Sequence, residues 1–265
     1  MNKNKTMSNI LVYKKDFTIA RNIKKKSKKK SKNKSKNKSK NKSKIIDVPF
    51  SKLKSKGTKA TLGNIYFHYQ AYVNIKFFFH HLVNKYNYSL NYQNPILDIH
   101  SIKNKVIYKS IPDLKFDKDY NIVIINLVTP KENHANIALV NKKLKTIEFF
   151  EPHGYRKNKY SEISGNKGIY DKKIKLLKNI FKNILPKYSF IDVVSMHKKT
   201  SFQCELDPDE HTGFCVMWCI LFIHYRLLNQ DILLSKLVKY IDKTMTTTKL
   251  LKYAKYVEEI IKNLI

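Results

Sequence analysis

The most continuously apolar run in the chain extends over residues 216–223 and contains no charged side chain. A helix of this sequence has no polar face, so we expect it to be buried on every side. The polar segment 204–213 precedes it, which places Cys215 in the first turn of the helix. There the unpaired N–H groups and the positive end of the helix dipole stabilise a thiolate. Cys215 is therefore either a nucleophile or an ordinary core residue, as most free cysteines are.

Charge divides the chain into two parts. The formal net charge is +33, and residues 1–60 hold 22 lysines and arginines against 2 acidic residues. Residues 24–44 consist only of Lys, Ser and Asn, a composition that cannot bury a core and predicts disorder. We predict a basic tail at residues 1–57 and one folded domain at residues 58–265. The tail suits nonspecific contact with the phosphates of a polyanion such as nucleic acid, or a nuclear localisation signal. A low-complexity expansion without function is the alternative.

Three cysteines, an odd and small number, argue against a disulfide framework and for a reducing compartment. The start of the chain has no apolar segment of the secretory kind, and no run approaches the roughly 20 apolar residues of a membrane span. We therefore expect neither secretion nor a membrane partner, and no cofactor. The alternative of a metal site rests on Cys204, His211, Cys215 and Cys219, but their spacing matches no zinc pattern.

Alternation and β-branched residues predict the strands. Residues 122–128 predict a buried strand, and the segments 134–140 and 145–151 flank a short polar turn as the two strands of a hairpin. A further strand is expected at 189–194. Helices are predicted at 61–83, at 171–184 with its lysines facing solvent, and at 231–241 and 246–264. This mixture predicts an α+β domain.

The hairpin makes one specific prediction about side chains. A two-residue turn at 142–143, or a four-residue loop over 141–144, pairs residues whose numbers sum to 285. His134 and Glu151 then lie directly opposite each other on one face, with Cβ atoms roughly 5 Å apart. A carboxylate in that place can hold an imidazole in one tautomer and stabilise its cation. An ordinary cross-strand ion pair is the alternative, and His153 is a second candidate imidazole.

The polar candidates occur along the chain in the order His134, Glu151, Gln203 and Cys215. A cysteine hydrolase needs a thiolate, an imidazole, a group that orients the imidazole and donors for the oxyanion. In enzymes of the papain and ovarian-tumour families the cysteine comes first. The order seen here is that of the adenain and SUMO-protease superfamily of cysteine peptidases, which the chain resembles over residues 120–230. The likeness lies in segments 134–140, 146–151, 213–216 and 225–227.

That resemblance implies a papain-like α+β domain with a central mixed sheet, a hairpin and a buried nucleophile helix. It makes Cys215 the nucleophile, His134 the general base, Glu151 the orienting acid and Gln203 the oxyanion donor. The chain departs from the family in having Glu rather than Asp or Asn as the acid, and Ala135 rather than an aromatic residue after the histidine. Gln203 also lies twelve residues before Cys215, farther than is usual in the family.

The function implied is that of a thiol peptidase, located in a virion or in host cytoplasm, that cleaves viral precursor proteins or ubiquitin-like conjugates. Its partner would be a protein or peptide substrate. The alternative is a catalytically inactive protein of the same fold that acts as a basic virion protein or associates with nucleic acid.

Overall fold

The structure is a computed structural model that describes residues 44–49, 71–102, 105–129, 133–154, 167–196, 202 and 214–264. These residues belong to one compact unit, residues 43–265. They form a mixed sheet with helices packed on both faces. The predicted α+β class, with a central mixed sheet and a hairpin, is confirmed.

The sheet has seven described strands in the order β3-β2-β4-β5-β6-β7, and β1 pairs with β4 outside this path. Its centre, β4-β5-β6, is antiparallel, whereas β2 joins β4 and β7 joins β6 in parallel. The strands are β1 Leu90–Asn91, β2 Leu97–Ile102, β3 Lys105–Tyr108, β4 Tyr120–Val128, β5 Asn133–Asn141, β6 Thr146–Phe150 and β7 Ser189–Asp192. The helices are α1 Ala71–Tyr86, α2 Lys167–Ile184, α3 Phe214–Leu228, α4 Leu234–Thr244 and α5 Thr247–Lys262, and Val194–Met196 forms a 3-10 turn.

Both faces of the central strand β4 are buried, which explains why its sequence lacks polar alternation. Ile122 and Ile124 pack in the core that contains α3, and Val123 and Ile125 pack in the core that contains α2. A strand covered on both faces is expected to read as a continuous β-branched run. The strand predicted at 122–128 is therefore confirmed.

Helix α3 is the buried helix that the apolar run predicted. Every side chain from Cys215 to Leu227 is buried, and the helix contacts β5, α1, α4 and α5. Near its start the Sγ of Cys219 lies 3.6 Å from the carbonyl oxygen of Ala135, so the first turns of α3 lie beside the first residues of β5. No helix in the part of the chain described is both long and apolar enough to cross a membrane.

Helix α2 differs from its prediction at one residue. Its lysines were expected to face solvent, as Lys175 and Lys178 do, but Lys173 is only 2% exposed. Lys173 lies three residues after Tyr170 and four before Leu177, both buried, so it is on the stripe of the helix that faces the sheet.

The start of the domain involves residues on the tail side of the boundary expected at residue 58. Val48 is buried in the core with α3. The side chain of Asn229 bonds both backbone groups of Ile46, at 2.7 and 2.9 Å, and the hydroxyl of Tyr225 donates to Asp47. The expected boundary itself stays a prediction. Of the helix predicted at 61–83, residues 61–70 lie outside the described residues, and α1 covers the remainder.

Candidate active site

The hairpin of β5 and β6 is present, but its predicted register is wrong by two residues. Asn141 pairs with Thr146, and Ile137 pairs with Phe150, so paired numbers sum to 287 and not to 285. The loop is residues 142–145. Asn141, predicted to lie in a turn, ends the strand, and its side-chain oxygen accepts a hydrogen bond from the backbone N–H of Leu144 at 3.0 Å.

A shift of two residues leaves every side chain on its predicted face, because strand side chains alternate with a period of two. Continued past the end of β6, the observed register brings His134 level with His153, and their ring centroids are 4.2 Å apart. Glu151 still reaches His134, and its Oε1 lies at hydrogen-bonding distance from Nε2. The contact is therefore diagonal rather than directly opposite. Diagonal neighbours are about 7–8 Å apart, a gap that suits glutamate better than the shorter aspartate.

Three donors surround the carboxylate of Glu151, which is fully buried. His134 contacts Oε1, the backbone N–H of His153 donates to the same oxygen at 3.0 Å, and the ammonium of Lys173 bonds Oε2. Burial alone would raise the pKa of this carboxyl, but the positive charges of His134 and Lys173 hold it well below its usual range. Glu151 is therefore ionised at neutral pH.

His134 lies between Glu151 and Cys215, and all three side chains are buried. Burial alone would lower the pKa of His134, but the Glu151 carboxylate and the charge and hydrogen bond of Cys215 raise it to about 9. The ring is thus an imidazolium at neutral pH. Because Nε2 is engaged by Glu151, Nδ1 is the ring nitrogen left to donate to the sulfur of Cys215.

Gln203, the predicted oxyanion donor, lies outside the described residues, as does the polar segment 204–213 that follows it. Its neighbour Phe202 is described. The backbone N–H of Phe202 donates to the carbonyl of Pro152 at 3.1 Å, and its ring packs against Phe150 and Trp218, with centroids 5.3 and 5.5 Å away. Trp218 follows Cys215 by one helical turn, so Phe202 lies beside the start of α3.

Lys173, which bonds Glu151 in the candidate site, is not predicted as a site residue by the sequence. The available signal was a lysine on the apolar stripe of an amphipathic helix, where burial is costly unless an acid pairs with the lysine.

The metal alternative gains no support from the residues described, where no three His, Cys, Asp or Glu side chains converge as ligands. Two of its four residues, Cys204 and His211, lie outside them.

Comparison with known proteins assigns no family. No protein-family profile matches the chain. A protein of Acanthamoeba polyphaga mimivirus, named as an ankyrin repeat protein, is 28% identical over 134 residues, which are 45% of this chain and 17% of that protein.

Two structures of the Chlamydia trachomatis effector protein ChlaDUB1 match with a TM-score of 0.46 each. They are 11% and 12% identical and cover 78% and 76% of this chain, and 90% and 93% of theirs. At this level neither likeness assigns an activity to the chain.

Proposed function

We propose that this chain is a thiol peptidase in which Cys215 is the nucleophile, His134 the general base and acid, and Glu151 the acid that orients His134. The observation that carries the proposal is the buried series Cys215–His134–Glu151, assembled from the first turn of α3, the start of β5 and the residue after β6. A histidine held between a thiol and an ionised carboxylate has the arrangement that nucleophilic catalysis by cysteine requires.

The reaction follows from the proton positions. The sulfur of Cys215, as a thiolate beside the His134 imidazolium, attacks the scissile carbonyl and forms a C–S bond. His134 then gives its proton to the leaving amine as the C–N bond breaks, which leaves a thioester. A water molecule, deprotonated by His134, attacks the thioester carbonyl. The C–S bond then breaks, the acyl group leaves as a carboxylic acid, and the thiolate–imidazolium pair is restored. The oxyanion is stabilised by the backbone N–H of Cys215 and, in this proposal, by the side chain of Gln203.

The substrate class is a protein or peptide, and the resemblance to the adenain and SUMO-protease superfamily favours viral precursor proteins or ubiquitin-like conjugates. The test is incubation of the purified full chain with two electrophilic probes, one built on a short peptide and one on a ubiquitin-like protein. Covalent mass added at Cys215 by either probe supports the proposal and indicates the substrate class. Failure of both probes to modify Cys215 would argue against a peptidase.

Activity is expected to fall as the pH rises through about 9. The pKa of His134 is raised to about 9, so the imidazolium that protonates the leaving amine is present below that pH and is lost above it. The measurement is kcat/KM for a peptide substrate between pH 6 and pH 10.5. In Glu151→Gln the alkaline limb should move down towards the ordinary histidine range, because the carboxylate that raises the pKa is gone. A limb that stays in place in Glu151→Gln would contradict the assigned role of Glu151.

A second candidate function is binding of a polyanion by the basic tail. Residues 24–44 contain 13 lysines and no acidic residue. Binding of the full chain to a random-sequence DNA duplex should weaken by about a thousandfold or more between 50 and 200 mM salt. It should survive Cys215→Ala and be lost on removal of residues 1–43. Binding that persists without those residues would place the contact elsewhere.

A further inference from the structure

One lysine of α2 lies in the core with its ammonium on a carboxylate of the candidate site. Lys173 is 2% exposed, and its Nζ bonds Oε2 of Glu151 while His134 occupies Oε1. Each oxygen of Glu151 therefore has a cationic partner, one on each side. An isolated buried ammonium would be strongly unfavourable, so this pairing is what permits a lysine on the face of α2 that contacts the sheet.

We propose that Lys173 is a positioning residue of the site. It holds Oε2 of Glu151 in place and offsets the negative charge of that carboxylate, so that the Cys215–His134 pair reaches its reactive protonation state closer to neutral pH. The proposal rests on the proposed peptidase function and deepens it. Lys173 acts through Glu151 and contacts neither the substrate nor the reacting sulfur.

The charges of the site explain this role. In the reactive form the thiolate and the carboxylate carry two negative charges, and the imidazolium carries one positive charge. Without a further cation this buried group has a net charge of −1, which favours uptake of a proton. The ammonium of Lys173 brings the net charge to zero, so the site holds its protons less tightly and loses them at lower pH.

The groups around Glu151 come from five elements. His134 faces it from β5, the N–H of His153 from the turn after β6, and Cys215 and Cys219 from α3. On the α2 side, Nζ of Lys173 lies 5.2 Å from the ring centroid of Tyr170. The Tyr170 hydroxyl donates to Asp192 of β7 at 2.8 Å, and burial raises the pKa of that carboxyl. Lys173 is the cation among these groups that can offset Glu151 when His134 is neutral.

The test follows the titration of the His134 ring by NMR, with the signal assigned by its loss in His134→Gln. Lys173→Met keeps the side-chain length and removes the charge. Its His134 midpoint should move upward from the wild-type value by about one pH unit, since a cation close to the ring has been removed. Lys175→Met, an exposed lysine on the same helix, is the matched control and should leave the midpoint in place. A midpoint that is unchanged or lowered in Lys173→Met would overturn the proposal.

Thermal unfolding gives a second reading in case Lys173→Met folds poorly. Lys173→Met leaves Glu151 undercompensated, so the double variant Lys173→Met/Glu151→Gln, which removes both charges, should be the more stable of the two. A double variant no more stable than the single one would contradict a charge pair. Neither measurement requires peptidase activity. A chain that resists both electrophilic probes but shows the upward shift would refute the peptidase and retain the role of Lys173 in setting the titration of His134.

Discussion

Replacing Cys215 with alanine is expected to abolish covalent labelling of the chain by an electrophilic peptide probe. Replacing His134 with alanine should slow labelling at Cys215 by about a hundredfold or more, because general acid–base groups of this kind contribute roughly 10²–10⁴ in rate. The physical reason is the interaction between the two side chains: in the proposed mechanism the His134 imidazolium is the partner of the Cys215 sulfur, and the thiolate is the reactive form of cysteine. Intact-mass spectrometry after timed incubation measures both effects.

Cys219 supplies a matched control. It lies one turn after Cys215 on the same helix and is equally buried. Burial, with the negative charge of Cys215 and Glu151, raises the pKa of the Cys219 thiol well above its usual value, so it stays protonated and unreactive. Cys219→Ala should therefore label at close to the wild-type rate. Labelling that disappears in Cys219→Ala, or that is unchanged in His134→Ala, would refute the assignment of Cys215 and His134.

The sequence predicts the fold best where one pattern has one explanation. The run at residues 216–223 has no polar face, and the helix it forms is buried throughout. The β-branched run that became β4 likewise admits one reading, a strand covered on both faces. In both cases burial of apolar surface decides the outcome, and burial can be read from composition over a short window.

The hairpin shows why register is harder to predict than the presence of the strands. Asn141 is polar, which favours a place in the loop, yet it pairs with Thr146 and its side chain closes the turn. Lys145 takes up the left-handed conformation, with φ 52°, at a residue type for which nothing in the sequence signals it. Local backbone geometry of this kind moved the pairing by two residues. The contact between His134 and Glu151 tolerates the shift because an even number of residues preserves the face.

The burial of Lys173 could not be predicted from the sequence, for a different reason. A lysine in an amphipathic helix predicts solvent exposure unless its partner is known, and its partner here is 22 residues earlier in the chain. Tertiary pairing of charges depends on how α2 lies against the sheet, and no window of the sequence around Lys173 contains that information. The burial of Arg226 in α3 is hidden from the sequence for the same reason, because its partner Glu148 is 78 residues earlier in the chain.

Strand β6 and the residue after it hold two buried glutamates, Glu148 and Glu151, which bond different helices. Glu151 bonds Lys173 of α2, whereas Glu148 bonds Arg226 of α3. Glu151 belongs to the candidate site, and Glu148 holds α3 to the sheet.

Replacing Arg226 with methionine is accordingly expected to lower the free energy of unfolding by about 3–5 kcal/mol, since it leaves a buried carboxylate unpaired. The guanidinium donates to both oxygens of Glu148, at 2.7 and 2.9 Å. It also donates to the carbonyls of Asn229 and Ile232, at 3.2 Å each. Thermal unfolding should show a Tm lower by roughly 10 °C for a domain of this size.

Two further variants decide whether charge is the cause of that loss. Lys262 is the exposed partner of Glu258, with 63% of its side chain accessible. Lys262→Met should change Tm little, because Glu258 keeps its bond to Lys255 and an exposed lysine contributes little to an ion pair. The double variant Glu148→Met/Arg226→Met should recover much of the stability lost in Arg226→Met, because it leaves no unpaired charge in the core. If the double variant is less stable than the single one, packing of the arginine stem and its backbone hydrogen bonds, rather than the charge pair, holds α3 against β6.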